Sequence, residues 1–479
     1  MHRAILTLAG VAILAAPSAA QETSREQPPG SGPLRPFRIP AIQETRLPNG
    51  IRVVVAERHT LPIVHARIIV NAGAVHEPAP KNGLAVMTGG LLIEGGAGDM
   101  NSAELAAAIE ALGAQMSASA SYSLASVNLT SLSNVFPEAL GLAATAVRRP
   151  LFDEREFGRV LNQAIAGYEQ TMSRAEGIAD RLFSEAIYED AAPYSRNPSG
   201  TATTLRGLTR EDVLGWHRTM YTPANTTVLI VGDIAFDAAV NLVRTAFGDW
   251  SASGPPVTLP ANPTRQVPAT RVILIDRPGS VQSAVMAGVP GIPTADPDFF
   301  RMTVLNRVLG GGVTARTNVN LRERHGYTYG AFTTLASLHN AGTFYASSSI
   351  RTSATDSALA ELVKEFRTIV SDVVPADELQ GSVTNLVASF PASVQSVQSL
   401  AQRLQTILIY DMPLDYYETY RERLAAVSAA DVASVARARL NPDALTVVVV
   451  GDLATIEAPI RARNFGTVEV WDREGNKLR

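Results

Sequence analysis

Apolar positions along the chain follow two rhythms. Short β-rich runs alternate with longer stretches in which every third or fourth residue is apolar. Leu47-Pro48-Asn49-Gly50 makes a tight turn ahead of the β-rich run Ile51 to Ala56, and Leu61 to Ala72 is a second such run. Pro78 to Asn82 breaks the chain, and Gly83 to Ile93 reads as a buried helix. After the glycine loop Gly95 to Asn101, Asn101 with Glu104 three residues on marks the start of a helix over Ser102 to Leu112. Alternation through Gln115 to Leu132 predicts a strand pair around Tyr122-Ser123. Helices are expected over Asn134 to Arg148, Asp153 to Met172 and Ala175 to Tyr188. The order β-β-α-α-β-β-α-α-α predicts an α+β layer, with helices packed on a largely antiparallel sheet.

The pattern then recurs. The run from Leu208-Thr209-Arg210-Glu211-Asp212-Val213 through Tyr221-Thr222-Pro223 to Val231-Gly232-Asp233 matches the run from Val427-Ser428-Ala429-Ala430-Asp431-Val432 through Asn441-Pro442 to Val450-Gly451-Asp452, without a gap. Each copy is a capped helix, a proline break and a buried strand ending in Gly-Asp. The chain therefore reads as two tandem homologous domains, 42–250 and 269–479, joined by a Pro-rich linker at 251–268. The second copy resumes with a strand over Arg271 to Asp276, its partner over Ser283 to Val289, and a helical run from Phe299 to Leu309. Duplicated halves of this kind commonly face each other around a cavity, and clefts between domains favour ligand binding.

Composition narrows the class. With 479 residues, 46% hydrophobic and 18% charged, the chain can bury substantial cores and is too long for one ordinary domain. A net charge of −4 without long runs of like charge leaves no electrostatic footprint for nucleic acid or an anionic membrane. Residues 1–20 pair His2 and Arg3 with the apolar run Ala4 to Ala16 and end on Ser18-Ala19-Ala20. They read as a secretory signal peptide cut before Gln21, or kept as an anchor. Residues 21–41 read as a flexible leader. No later segment is apolar enough for a membrane span, so an exported, periplasmic protein is expected. Cysteine is absent, which removes disulfides and thiolate ligands.

Candidate chemistry concentrates between 309 and 329. Gly310, Gly311 and Gly312 follow the helical run and can leave bare backbone amides that a peptide approaches closely. Arg322 and Tyr329 stand seven apart across a glycine turn. As a guanidinium and a phenol they can hold an extended peptide carbonyl and stabilise an oxyanion forming on it. They also read as an ordinary surface arginine and the first tyrosine of a strand.

Leu309-Gly310-Gly311-Gly312 followed by Leu321-Arg322-Glu323-Arg324-His325-Gly326-Tyr327-Thr328-Tyr329 resembles the C-terminal half of the pitrilysin/insulinase family, the inverted-zincin metallopeptidases. The resemblance covers about residues 42 to 465 and is strongest for the short-subunit bacterial branch. In that family an Arg and a Tyr at this spacing bind the substrate backbone beside a zinc held by the N-terminal half, and they map onto Arg322 and Tyr329. Lys81-Asn82-Gly83-Leu84-Ala85 is similar to the run that leads into the family's zinc helix, where active members continue with His-x-x-Glu-His. Here those five residues are Val86, Met87, Thr88, Gly89 and Gly90. The stretch matching the third ligand, Val160-Leu161-Asn162-Gln163-Ala164, offers amides, which are poor zinc ligands. None of the seven histidines lies three or four residues from another. The chain is thus expected to bind no metal itself. Two glycines within one helix cost on the order of 2 kcal/mol relative to alanine, so either close packing compensates or the helix ends at Thr88.

Two functions follow from the resemblance, and a third, a self-sufficient zinc peptidase with stoichiometric zinc, is disfavoured by the missing ligands. The first is a non-catalytic subunit of a heterodimeric zinc endopeptidase, with Arg322 and Tyr329 reaching across to the peptide held at the zinc of a homologous partner. The second is an inert scaffold or peptide-binding protein. A neighbouring reading frame encoding a similar chain with His-x-x-Glu-His would favour the first.

Overall fold

The structure, a computed structural model, describes residues 38–252, 254 and 256–479. The expected signal peptide at 1–20 and leader residues up to 37 lie outside that range.

The tight turn at Leu47 to Gly50, with Gly50 at φ 101°, folds strand β1 (Ile42–Arg46) back on β2 (Arg52–Glu57). Strand β3 (Ile63–Val70) follows, then helices α1 (Leu84–Glu94) and α2 (Ser102–Ala111). The Asn101/Glu104 capping box forms as the spacing predicts. A hairpin of β4 (Gln115–Ala120) and β5 (Ala125–Leu132) precedes α3 (Phe136–Arg148), α4 (Glu154–Met172) and α5 (Ala175–Ile187). The half ends with α6 (Ala202–Arg206), α7 (Arg210–Met220), β6 (Thr226–Gly232) and α8 (Phe236–Phe247). The second half runs β7 (Arg271–Asp276), β8 (Gln282–Pro290), α9 (Phe299–Leu309), α10 (Arg316–Asn318), β9 (Thr328–Ser337) and β10 (Gly342–Arg351). It continues with α11 (Thr355–Ser371), α12 (Ala376–Ser389), α13 (Val397–Ile409), α14 (Tyr420–Ala425), α15 (Ala429–Arg439), β11 (Thr446–Gly451), α16 (Leu453–Ala462) and β12 (Thr467–Trp471).

Each half builds a six-stranded sheet, ordered β1-β2-β6-β3-β5-β4 and β12-β7-β11-β8-β10-β9. Capping boxes at Thr209/Asp212 and Ser428/Asp431 open α7 and α15, and the strands that follow take equivalent places, β6 parallel to β2 and β11 parallel to β7. Two expectations need correction. Strand β7 does not pair with β8, because β11 lies between them and pairs with both. The first half opens with β1, an extra strand ahead of the expected series. In the second half the corresponding edge is β12, contributed from after α16 and parallel to β7.

Burial of both sheet faces explains the unbroken apolar runs Val228 to Val231 and Val447 to Val450. On β11, Val447 and Val449 join the core beneath helices of their own half. Val448 and Val450 face the other way and pack with Ile178, Leu182 and Phe183 of α5, from the first half. The exchange is reciprocal, since α13 of the second half lies against β3 and β6 of the first. Arg67 on β3 reaches Gln402 on α13 at 2.5 Å. The Pro-rich connection is laid along the end of α5, where the Arg265 amide donates to the Ile187 carbonyl (2.7 Å) and the Tyr194 amide to Asn262 Oδ1 (2.9 Å). No helix among the described residues is long and apolar enough to cross a membrane.

One consequence is measurable. His65 lies on the same face of β3 as Arg67, is 4% exposed, and bonds through Nδ1 to Thr130 Oγ1 at 2.8 Å. Burial, with help from the Arg67 charge, pushes its pKa down to about 4. The fold therefore favours neutral His65. That contribution is complete above the ordinary value of 6.5 and is lost as pH falls from 6.5 towards 4, for a total of about 3 kcal/mol. Urea unfolding across this window should show the loss, and His65→Gln should flatten it.

Candidate functional site

The three glycines at the end of α9 are shaped by packing. The amides of Gly310 and Gly311 both donate to the Asn306 carbonyl, at 3.0 and 2.7 Å, and Arg307 Nη1 donates to the Gly311 carbonyl at 2.5 Å. The expectation of bare amides at Gly310 and Gly311 is thus corrected, because the helix end already uses them. A Cβ on Gly310 would sit 2.5 Å from the Thr333 amide nitrogen and 2.6 Å from Thr317 Oγ1, so only glycine lets the helix end lie against β9.

From there the chain enters a wide helical turn over Val319–Arg324, closed by the His325 amide donating to the Asn320 carbonyl at 3.1 Å, a five-residue span. Turns of this width are uncommon and recur at functional sites. Leu321 is fully buried in the second-half core. Asn320, 3% exposed, donates from Nδ2 to Glu361 Oε2 (3.0 Å) and Glu365 Oε1 (2.6 Å) on α11. Thr317 Oγ1 donates to the Ala331 carbonyl (3.0 Å), fastening the preceding turn to β9. Gly326, at φ 62°, then reverses the chain into β9.

This frame brings Arg322 and Tyr329 together. The Arg322 guanidinium carbon lies 4.8 Å from the centre of the Tyr329 ring, a cation–π contact, and Arg322 Nε lies 3.2 Å from Glu323 Oε1. Tyr329 is 85% exposed on β9, the edge strand of its sheet. The pair thus forms an outward-facing set of N–H and O–H donors on a turn anchored from below. Asn320 escaped sequence reasoning because, beside Arg322, its amide reads as one more polar surface position. In the fold α11 supplies its partners, Glu361 and Glu365, and the packed turn buries it.

The first-half positions form a different surface. Helix α1 runs through Gly89 and Gly90 to Glu94 and does not stop at Thr88. Its start is held by Glu77, a buried carboxylate that accepts from the amides of Gly83 (3.0 Å) and Ala85 (2.5 Å) and from Asn82 Nδ2 (3.0 Å). Desolvation raises the Glu77 pKa against the pull of those donors. A Cβ on Gly89 would lie 3.0 Å from the Ser119 carbonyl carbon and 3.1 Å from the Ala120 amide nitrogen, whereas one on Gly90 would meet nothing within 4 Å. Close approach of β4 thus accounts for the first glycine, and the second stands over open space.

Zinc does not fit here. The side chains of Val86, Gly89 and Gly90 carry no ligand atom, and Asn162 and Gln163 are exposed amides on α4, with Gln163 Oε1 accepting from Arg159 Nη1 at 3.0 Å. The nearby carboxylates are engaged, since Arg159 binds Glu94 at 2.7 Å and Glu156 at 2.6 Å. Among the described residues no group of three or more His, Cys, Asp or Glu side chains is placed to hold a metal ion. The glycines give a clean test by urea unfolding. Gly90→Ala should stabilise by about 1 kcal/mol through helix propensity. Gly89→Ala should fall short of that gain by about 1–3 kcal/mol, because the backbone of β4 has to give by a few tenths of an ångström.

Known families match successive stretches of the chain. The family model for the insulinase peptidases (peptidase family M16) matches residues 52–196, and that for the peptidase M16 inactive domain matches residues 207–386. An uncharacterized zinc protease of Streptomyces coelicolor is 26% identical over 407 residues, 83% of this chain and 87% of the relative. Among solved structures, a peptidase M16 inactive domain from Pseudomonas fluorescens superposes with a TM-score of 0.80 at 25% identity, covering 86% of this chain and 98% of that one. A protease from Helicobacter pylori shares the fold, with a TM-score of 0.78 at 19% identity, over 86% of this chain and the whole of that one.

Proposed function

The chain belongs to the insulinase family of peptidases, and from that premise we propose that it is the non-catalytic subunit of a heterodimeric zinc metalloendopeptidase. The observation that carries this reading is a contrast between the halves. Arg322 and Tyr329 converge on an exposed, well-anchored surface, while the family's two metal-binding histidine positions hold Val86 and Gly90 and its general-base position holds Gly89. In this proposal the metal and the activation of water belong to a homologous partner, and this chain contributes no step there.

Its own part is recognition and charge stabilisation. The Arg322 guanidinium and the Tyr329 hydroxyl donate to backbone carbonyl oxygens of an extended peptide, and to the oxygen that gathers negative charge during cleavage. Of the glycines at 310–312, Gly310 acts at one remove, by letting the end of α9 lie against β9 beside the substrate, while Gly311 and Gly312 leave room for Arg307. The signal-like segment at 1–20 suggests that the pair works in the periplasm.

The test is co-expression with a homologous chain carrying His-x-x-Glu-His, followed by zinc analysis of each purified chain and a peptidase assay on unfolded protein. Zinc confined to the partner, and activity that rises only when both are present, is the expected result. Stoichiometric zinc in this chain, with cleavage by it alone, would overturn the proposal. A stable pair whose turnover does not depend on this chain would support a scaffold instead.

A further inference from the structure

At the opposite end of α9 from the glycine loop, about 16 Å away by helical rise, lies a cavity of about 340 Å³ that the peptide-binding reading does not use. Phe299, Phe300, Tyr410 and Tyr416 are among the residues that line it. Phe299 and Phe300 meet edge to face at 5.7 Å, and Phe300 and Tyr416 lie 5.9 Å apart. Carboxylates line it too. Asp296 is paired with Arg439 at 3.2 Å, and Asp411 lies 3.9 Å from His339. Asp415 and Glu418 are exposed, with no ion pair among the described residues.

Aromatic faces carry negative electrostatic potential and attract cations, most strongly organic cations that shed water easily. The protein already displays this attraction, since the Arg423 guanidinium sits 4.1 Å over Phe300 and 5.7 Å from the Tyr416 ring centre. The volume quoted remains with Arg423 in place, and it falls within the range of small-molecule sites. A bare metal ion is a poorer match, because no three carboxylate or imidazole groups converge there among the described residues.

We infer that this cavity between the start of α9 and the Tyr410–Thr419 loop is a binding site for an organic cation, a methylated ammonium or a guanidinium group. The aromatic walls supply the contact surface, and Asp415 and Glu418 supply long-range attraction. Arg423 is the internal competitor. Such a cation can come from a free small amine or from a basic side chain of a polypeptide.

Saturation-transfer NMR on the full chain can separate these sources, using tetramethylammonium for the first, N-acetyl-arginine amide for the second and tert-butanol as a neutral shape control. Saturable binding of at least one cation, about tenfold tighter than tert-butanol, is expected. Asp415→Asn combined with Glu418→Gln, both exposed positions, should weaken it several-fold, and Arg423→Ala should strengthen it several-fold. Preference for tetramethylammonium would identify small quaternary amines, and preference for the arginine amide would identify a basic side chain. Binding of tert-butanol as tight as either cation, absence of saturable binding by both cations, or affinity unchanged in the Asp415/Glu418 double variant would overturn the inference.

Discussion

Arg322→Ala and Tyr329→Phe, each introduced into the reconstituted pair, are expected to lower turnover by about 100- to 1,000-fold, the loss typical of one oxyanion donor. Pair formation should be unaffected, because both side chains point outward from a turn held by Asn320, Leu321 and Thr317. The geometry adds a finer distinction. The guanidinium rests on the tyrosine ring, so Tyr329→Phe keeps that support and removes only the hydroxyl. Tyr329→Ala also releases Arg322 and should be worse by a further several-fold, the worth of an exposed cation–π contact of about 0.5–1 kcal/mol. Steady-state kinetics should show the loss in kcat more than in KM, as expected for donors whose bonds strengthen as charge develops. Wild-type turnover in Tyr329→Phe would remove the hydroxyl from the mechanism.

Phe183→Ala should destabilise the protein by about 3–5 kcal/mol, the usual cost of deleting a buried aromatic ring. The more telling part is where the loss is felt. Phe183 belongs to the first half by sequence but is 2% exposed in a core where α5 packs on the second sheet, with its ring 5.3 Å from that of Tyr345. Hydrogen exchange should therefore quicken on β8 and β11, on which α5 packs. Unfolding should stay a single transition, because α5 and α13 tie each sheet to the other half. Two separate transitions, or faster exchange confined to the first half, would show that the halves fold independently.

Much of this architecture is legible in local patterns. Asn101 with Glu104, Thr209 with Asp212 and Ser428 with Asp431 are short-range hydrogen-bonding signals, and each opens a helix in the structure. The hairpin around Tyr122-Ser123 follows from alternation over a few residues. Pairings between distant strands are another matter. Placing β11 between β7 and β8 requires a contact across more than a hundred and fifty residues of intervening chain, and no local preference encodes it. Strand β12 joins its sheet by the same kind of long return.

For the candidate site, the spacing of Arg322 and Tyr329 marks the residues and their donors, since side-chain chemistry is a property of the sequence. Their meeting at 4.8 Å depends on the wide turn, on Asn320 buried beneath it and on Gly326 reversing the chain. Likewise, the replacement of the family's two histidines and glutamate by Val86, Gly90 and Gly89 is visible in the letters alone, because the side chain of a valine or a glycine offers no lone pair in any fold. That the two glycines differ is decided only in three dimensions, where β4 presses against one and nothing approaches the other. Residue chemistry and short-range periodicity are local and travel with the chain. Burial, pairing and the exchange of α5 and α13 come from surfaces that exist only once distant segments have packed.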